Sequence, residues 1–130
     1  MADEEVLETG AVIWTDLTVP NAEEVKDFYS AVIGWKSEPV KMGDYNDYSM
    51  NSPETGRTIA GVCHSKGINA DLPHQWLIYF TVKDVDKSVE TCLRNGGEII
   101  AGPRNMGRYG KYCVIKDPAG AVAALFSPLE

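Results

Sequence analysis

Ala11-Val12-Ile13-Trp14-Thr15-Asp16-Leu17-Thr18-Val19-Pro20-Asn21-Ala22-Glu23-Glu24 is the stretch whose reading decides the fold. Side chains of a strand alternate between two faces, so Ile13, Leu17 and Val19 fall on one face and Trp14, Asp16 and Thr18 on the other. The first set suits a surface covered by a helix, and the second is left for the opposite side. Asn21 then stands where a helix cap is needed, with Glu24 placed to reach back to it, an approximate capping box. Val25, Phe28, Val32 and Ile33 recur at helical spacing, and Gly34 supplies the left-handed residue that ends the helix. Residues 35–40, 44–50 and 57–63 read as three short strands, the last two joined by Ser52-Pro53-Glu54-Thr55-Gly56.

The same order recurs further along. Residues 75–82 alternate, Asp84 caps, Val85, Val89, Cys92 and Leu93 form a helical stripe, and Gly96-Gly97 stops it. Strands over 98–101, 111–115 and 121–126 follow, the last pair joined by the turn Asp117-Pro118-Ala119-Gly120. Laying Asn21 on Asp84 lays Thr18 on Thr81 and Val19 on Val82, an offset of 63 residues. Between the halves, residues 64–74 are rich in Gly, Asn, Asp and Pro and read as a linker. The expected organisation is one domain over 1–130, with a βαβββ module at 1–63 and a second at 75–130.

A formal charge of −7 with no long basic cluster argues against nucleic acid as a partner. No apolar run approaches the roughly 18 residues of a membrane span, and the acidic N-terminus is unlike an export signal, so a cytoplasmic protein is expected. Cys63, Cys92 and Cys113 are odd in number and never form a CxxC pair, which reads as reduced, buried thiols. His64 and His74 read as loop residues making ordinary hydrogen bonds.

The opening strand, the Asn21-initiated helix, Phe28-Tyr29 and Ile33-Gly34-Trp35, followed by Asp84, Gly96-Gly97 and Asp117-Pro118-Ala119-Gly120, resemble the vicinal oxygen chelate superfamily. That superfamily includes glyoxalase I, extradiol dioxygenases and bleomycin-resistance proteins. Trp76-Leu77-Ile78-Tyr79-Phe80 and Gly120-Ala121-Val122 are similar to a glyoxalase-like subgroup within it. The resemblance spans nearly the whole chain. It implies an α+β fold of two βαβββ modules, with curved mixed sheets enclosing a cavity and helices outside, and it implies a small-molecule ligand and a homodimer. It also implies four inward metal positions, which fall on Trp14, Leu77, Ala124 and either Ala60 or Gly61. None of these side chains is a metal ligand, so neither metal nor other cofactor is expected.

Within such a cavity Asp16 and Tyr79 occupy matching positions. Asp16 is a candidate general acid or base, with Tyr79 as its hydrogen-bonding partner or as a group that orients a ligand oxygen; equally, both side chains can serve only to satisfy buried hydrogen bonds. Trp14, Thr18, Tyr45, Tyr48, Met50, Leu77, Ala124 and Phe126 are candidate walls for a ligand. The segment from Gly102 to Lys111 is basic and glycine-rich, a candidate lid whose Arg104 or Arg108 would hold a ligand carboxylate, with Tyr109 a further candidate contact; equally it reads as a solvated loop whose arginines prevent edge pairing. Three readings follow: a metal-free binding protein for an aromatic or oxygen-rich molecule, a metal-independent lyase or isomerase, or a regulatory domain whose cavity is vestigial.

Overall fold

The computed structural model describes residues 8–128. Trp14–Leu77 form one compact unit, and the described residues up to Ile13 together with those from Ile78 form the other. Each unit is a mixed four-stranded sheet with one helix, so the α+β class expected from the repeat is what the chain adopts.

In the first unit, β1 (Val12–Val19) leads into α1 (Ala22–Ile33), then β2 (Lys36–Lys41), β3 (Asn46–Asn51) and β4 (Thr58–His64). The strand order is β2-β3-β4-β1, with β1 parallel to β4 and the other pairs antiparallel. Leu17 and Val19 of β1, Ala22 at the start of α1, Tyr48 and Met50 of β3, and Ala60 and Val62 of β4 make one buried cluster, against which Val25, Tyr29, Trp35 and Trp76 pack. Tyr29 contributes to this cluster with its hydroxyl satisfied, since it accepts from Trp76 Nε1 at 3.0 Å. The buried edge of α1 therefore runs through Ala22, Val25 and Tyr29. Phe28, Val32 and Ile33, expected on that edge, are instead 57%, 65% and 50% exposed. A turn of 100° per residue separates Phe28 from Tyr29, and the aromatic group on Trp35 and Trp76 takes the second of them.

The second unit repeats the plan. β5 (Trp76–Thr81), whose first two residues belong to the first unit, α2 (Val85–Arg94), β6 (Glu98–Asn105), β7 (Lys111–Lys116) and β8 (Val122–Ser127) follow in order, and the strands run β5-β8-β7-β6. β5 lies parallel to β8, as β1 does to β4. Val85 of α2 is buried, and Cys92 lines a groove with Ile115 and Leu125, which identifies the face that α2 covers. The caps of the two helices differ. Asp84 accepts from the Lys87 N–H at 3.2 Å, as a capping residue should. Asn21 stands at the cap of α1 but makes no such bond; its amide donates to the Glu24 side chain, so the expected capping box is not formed. Gly34, at φ 95°, ends α1 in the left-handed conformation that its sequence position called for.

Candidate functional site

Ladder register assigns the faces. In the first unit Leu17 pairs with Val62 and Val62 with Tyr48, all on the side covered by α1. The opposite side carries Asp16, paired with Gly61, which is paired in turn with Ser49, and beside them Thr18 paired with Cys63. Trp14 lies on this side too. A methyl group at Gly61 would come within 3.3 Å of the Trp14 ring, so the glycine is what leaves room for the indole to lie across the sheet. Trp14 Nε1 donates to Asp16 Oδ2 at 3.2 Å. Burial pushes the Cys63 thiol far above its ordinary value, and the charges of Asp16 and Asp47 push the same way, with Asp47 also hydrogen-bonded to it. This face thus presents an indole, two carboxylates and a thiol that keeps its proton.

The matching face of the second unit has a different chemistry. Tyr79 pairs with Ala124 and Ala124 with Val114; Thr81 pairs with Phe126, Phe126 with Tyr112, and Tyr112 with Arg104. These rows alternate with Phe80 and Leu125, which lie on the α2 side. Tyr79, Ala124 and Val114 are buried, while Phe126, Tyr112 and Arg104 are half-buried. Arg104 Nη1 donates to the Tyr112 hydroxyl at 3.1 Å. Tyr112 was not among the residues expected at the site; its alternation with Val114 on a strand was the available signal, and only pairing with Arg104 gives it weight.

Register also resolves the ambiguous position. Asp16 pairs with Gly61 as Tyr79 pairs with Ala124, so Gly61 and Ala124 are equivalent, again 63 residues apart, and Ala60 faces α1 with Met50. Leu77 is almost wholly buried and its carbonyl accepts from the Thr15 hydroxyl at 2.8 Å.

Three expected wall residues lie elsewhere. Met50 is fully buried on the α1 side, and Tyr48 lies there under Lys26 of α1, whose Nζ is 5.0 Å from the ring centroid. Tyr45 is edge-on to His64 and covered by Lys66. Aromatic spacing alone grouped them with Trp14, whereas pairing with Val62 and Ala60 places Tyr48 and Met50 on the opposite face. His64 ends β4 with its side chain only 15% exposed, rather than lying in a loop. It borders an open hollow of about 530 Å³ with Pro20, Asn21, Glu23, Glu24 and Asp27.

Half of the segment read as a lid or a solvated loop is strand. Arg104 and Asn105 pair with Tyr112 and Lys111, leaving only a short tip with a 3-10 turn over Gly107–Tyr109. Its base is pinned by the bond from Met106 N–H to Gly110 O, by Lys111 on Asp86 at 2.8 Å, and by Gly110, whose missing side chain lets Ser127 O approach closely. Arg104 sits in the sheet, whereas Arg108 stacks on the exposed Tyr109 at the tip, 5.5 Å from its ring centroid. The two arginines are therefore not equivalent.

The family model of the Glyoxalase/Bleomycin resistance protein/Dioxygenase superfamily matches residues 11–125. The chain belongs to this superfamily. This glyoxalase-superfamily chain is 32% identical over 129 residues to the anthracycline biosynthesis protein DnrV of Streptomyces peucetius, covering 90% of this chain and 46% of DnrV. It is 28% identical over 123 residues to the glyoxylase-named CFP32 of Mycobacterium bovis, covering 95% and 46%. It thus spans about half the length of the curated relatives it matches. Among solved structures it resembles methylmalonyl-CoA epimerases from Mycobacterium tuberculosis, with a TM-score of 0.59 at 14% identity over 100% of this chain and 97% of that one. The Streptomyces coelicolor epimerase gives 0.61 at 12% identity over 95% and 100%. At such identities these likenesses speak for the fold alone.

A divalent metal at the superfamily positions does not fit the residues present. Leu77, Gly61 and Ala124 offer no side-chain donor atom, and the Trp14 nitrogen is itself a hydrogen-bond donor committed to Asp16. Among the described residues no three His, Cys, Asp or Glu side chains converge to hold one elsewhere.

Proposed function

We propose that this glyoxalase-superfamily protein binds a small aromatic or oxygen-rich molecule without a metal, using the sheet faces turned away from its helices. The observation that carries the reading is the Trp14 indole laid across Gly61 and bonded to Asp16, a flat apolar surface with a polar edge. The relative DnrV, named for anthracycline biosynthesis, supports a polycyclic aromatic ligand. Thr18 extends this face of the first unit, and in the second unit Tyr79, Phe126 and Arg104 share the helix-free face.

A thermal-shift screen of aromatic and oxygen-rich metabolites in excess chelator tests this. The reading expects hits, and expects Trp14→Ala to weaken them by about 1–3 kcal/mol through lost apolar contact while the domain stays folded. No hit with chelator, followed by hits once a divalent ion is restored, would contradict it. A metal-independent lyase or isomerase with Asp16 as acid or base is the second reading, favoured by the Asp16 carboxylate lying beside the Trp14 indole on one face. Turnover of a hit by the wild type, lost in Asp16→Asn with binding retained, would decide for it.

We further propose a cytoplasmic homodimer. No helix among the described residues is long and apolar enough to cross a membrane, and the exposed Phe28, Val32 and Ile33 give α1 an apolar surface suited to a second copy. Sedimentation equilibrium at micromolar concentration should show a dimer; monomer alone would exclude it.

A further inference from the structure

We propose that the row Arg104–Tyr112–Phe126–Thr81 is a subsite for the anionic end and flat body of the ligand, which makes the ligand class a fused aromatic carboxylate. This rests on the small-molecule reading above and sharpens it. Consecutive ladder partners place the four side chains side by side on the helix-free face of the second unit. At about 4.8 Å per strand the row is about 14 Å from end to end, longer than a single ring needs.

Its ends are polar and its middle is aromatic. At one end, the Arg104 guanidinium gives one of its N–H groups to the Tyr112 oxygen. A phenol that accepts from a cation must turn its own proton elsewhere, and it becomes a stronger donor for doing so. Guanidinium and phenol together offer charge-assisted hydrogen bonds to a carboxylate. The Phe126 ring follows, half-buried and apolar, as an aromatic ligand would need. At the far end the Thr81 hydroxyl is buried with no hydrogen-bond partner among the described residues, in a residue only 3% exposed. Such orphaned groups are uncommon and call for a missing partner, which a ligand carbonyl or a water it carries would supply. The Arg108 and Tyr109 pair at the exposed tip lies outside this row.

The test compares 9,10-anthraquinone-2-carboxylate with its neutral carboxamide by titration calorimetry on the wild-type chain, Arg104→Gln, Arg104→Lys, Tyr112→Phe and Thr81→Val. The carboxylate should bind the wild type at least about tenfold more tightly, with a preference that shrinks as salt rises. Arg104→Gln should erase the preference, Arg104→Lys should keep only part of it because an ammonium lacks the planar fork, and Tyr112→Phe should reduce it. Thr81→Val should leave the melting temperature unchanged or higher and weaken both probes several-fold. Equal binding of the two probes by wild type and Arg104→Gln would overturn the subsite while leaving the small-molecule reading intact. Failure of both probes to bind would overturn the ligand class, and the broader reading would fall with it only if the metabolite screen were also empty. Circular dichroism and melting of each variant separate loss of binding from loss of fold.

Discussion

The two units share a backbone and differ in what they place on it. Both run βαβββ, both set the first strand parallel to the last, and the 63-residue offset holds from Thr18 and Thr81 to their partners Cys63 and Phe126. Yet where one unit carries Trp14, Asp16, Asp47 and a protonated Cys63, the other carries Tyr79, Phe126, Tyr112 and Arg104. The first face carries two carboxylates, and the second carries a guanidinium bonded to a phenol. Repetition therefore fixes where side chains point, while the residue chosen at each register position sets the chemistry.

The sharpest way to break this comparison is to swap a core residue against a face residue. Met50→Ala, on the helix side, should cost about 2–5 kcal/mol in urea unfolding and leave ligand affinity untouched. Phe126→Ala, on the helix-free side, should cost less stability and lose most of the affinity. The opposite pattern would mean the faces are assigned backwards. A smaller effect separates the helix caps. Asp84→Ala should lose about 1 kcal/mol, whereas Asn21→Ala, which removes only a bond to the exposed Glu24, should lose a few tenths at most. Equal losses would show that Asn21 caps in solution.

The smallest expected effect concerns the thiols. Burial pushes Cys113 up to about 11 from an ordinary 9.0. The folded chain then holds a proton that the unfolded chain has released, so this contribution to stability is complete below pH 9.0 and is lost as pH rises toward about 11. Cys63 is raised further, so its share continues to fall beyond that range. Unfolding curves at about pH 8 and about pH 10.5 should differ in this direction, and Cys113→Ala should flatten the difference. A pH dependence unchanged in the variant would show that Cys113 does not contribute.

Much of the fold was legible because strand alternation, the turn Asp117-Pro118-Ala119-Gly120 and the helix-ending Gly34 are local signals. The strand bounds expected at 44–50 and 57–63 lie close to β3 and β4. Face assignment across strands was not legible, since it needs register; Tyr48 and Met50 look like pocket residues until their pairing with Val62 and Ala60 is known. The strand expected over 98–101 was cut short because Gly and Pro are ordinary loop markers, yet β6 continues through Gly102 and Pro103 to Asn105 with an irregular register. Phe28 was assigned to the buried edge because hydropathy favours it over Tyr29; the bond between Tyr29 and Trp76 is a long-range feature that no local pattern reveals.

The central claim is that ligand meets the helix-free faces and not the helix-packed core, and the three indoles report on it directly. Trp14 lies on a helix-free face bonded to Asp16, while Trp76 is bonded to Tyr29 of α1 and Trp35 packs beside it. Nitrogen–proton correlation spectra of the labelled protein, titrated in chelator with the strongest hit from the screen, resolve the three indole signals separately. The account predicts that the Trp14 signal moves to saturation while those of Trp35 and Trp76 stay in place; movement of Trp35 or Trp76 with Trp14 unchanged would contradict it.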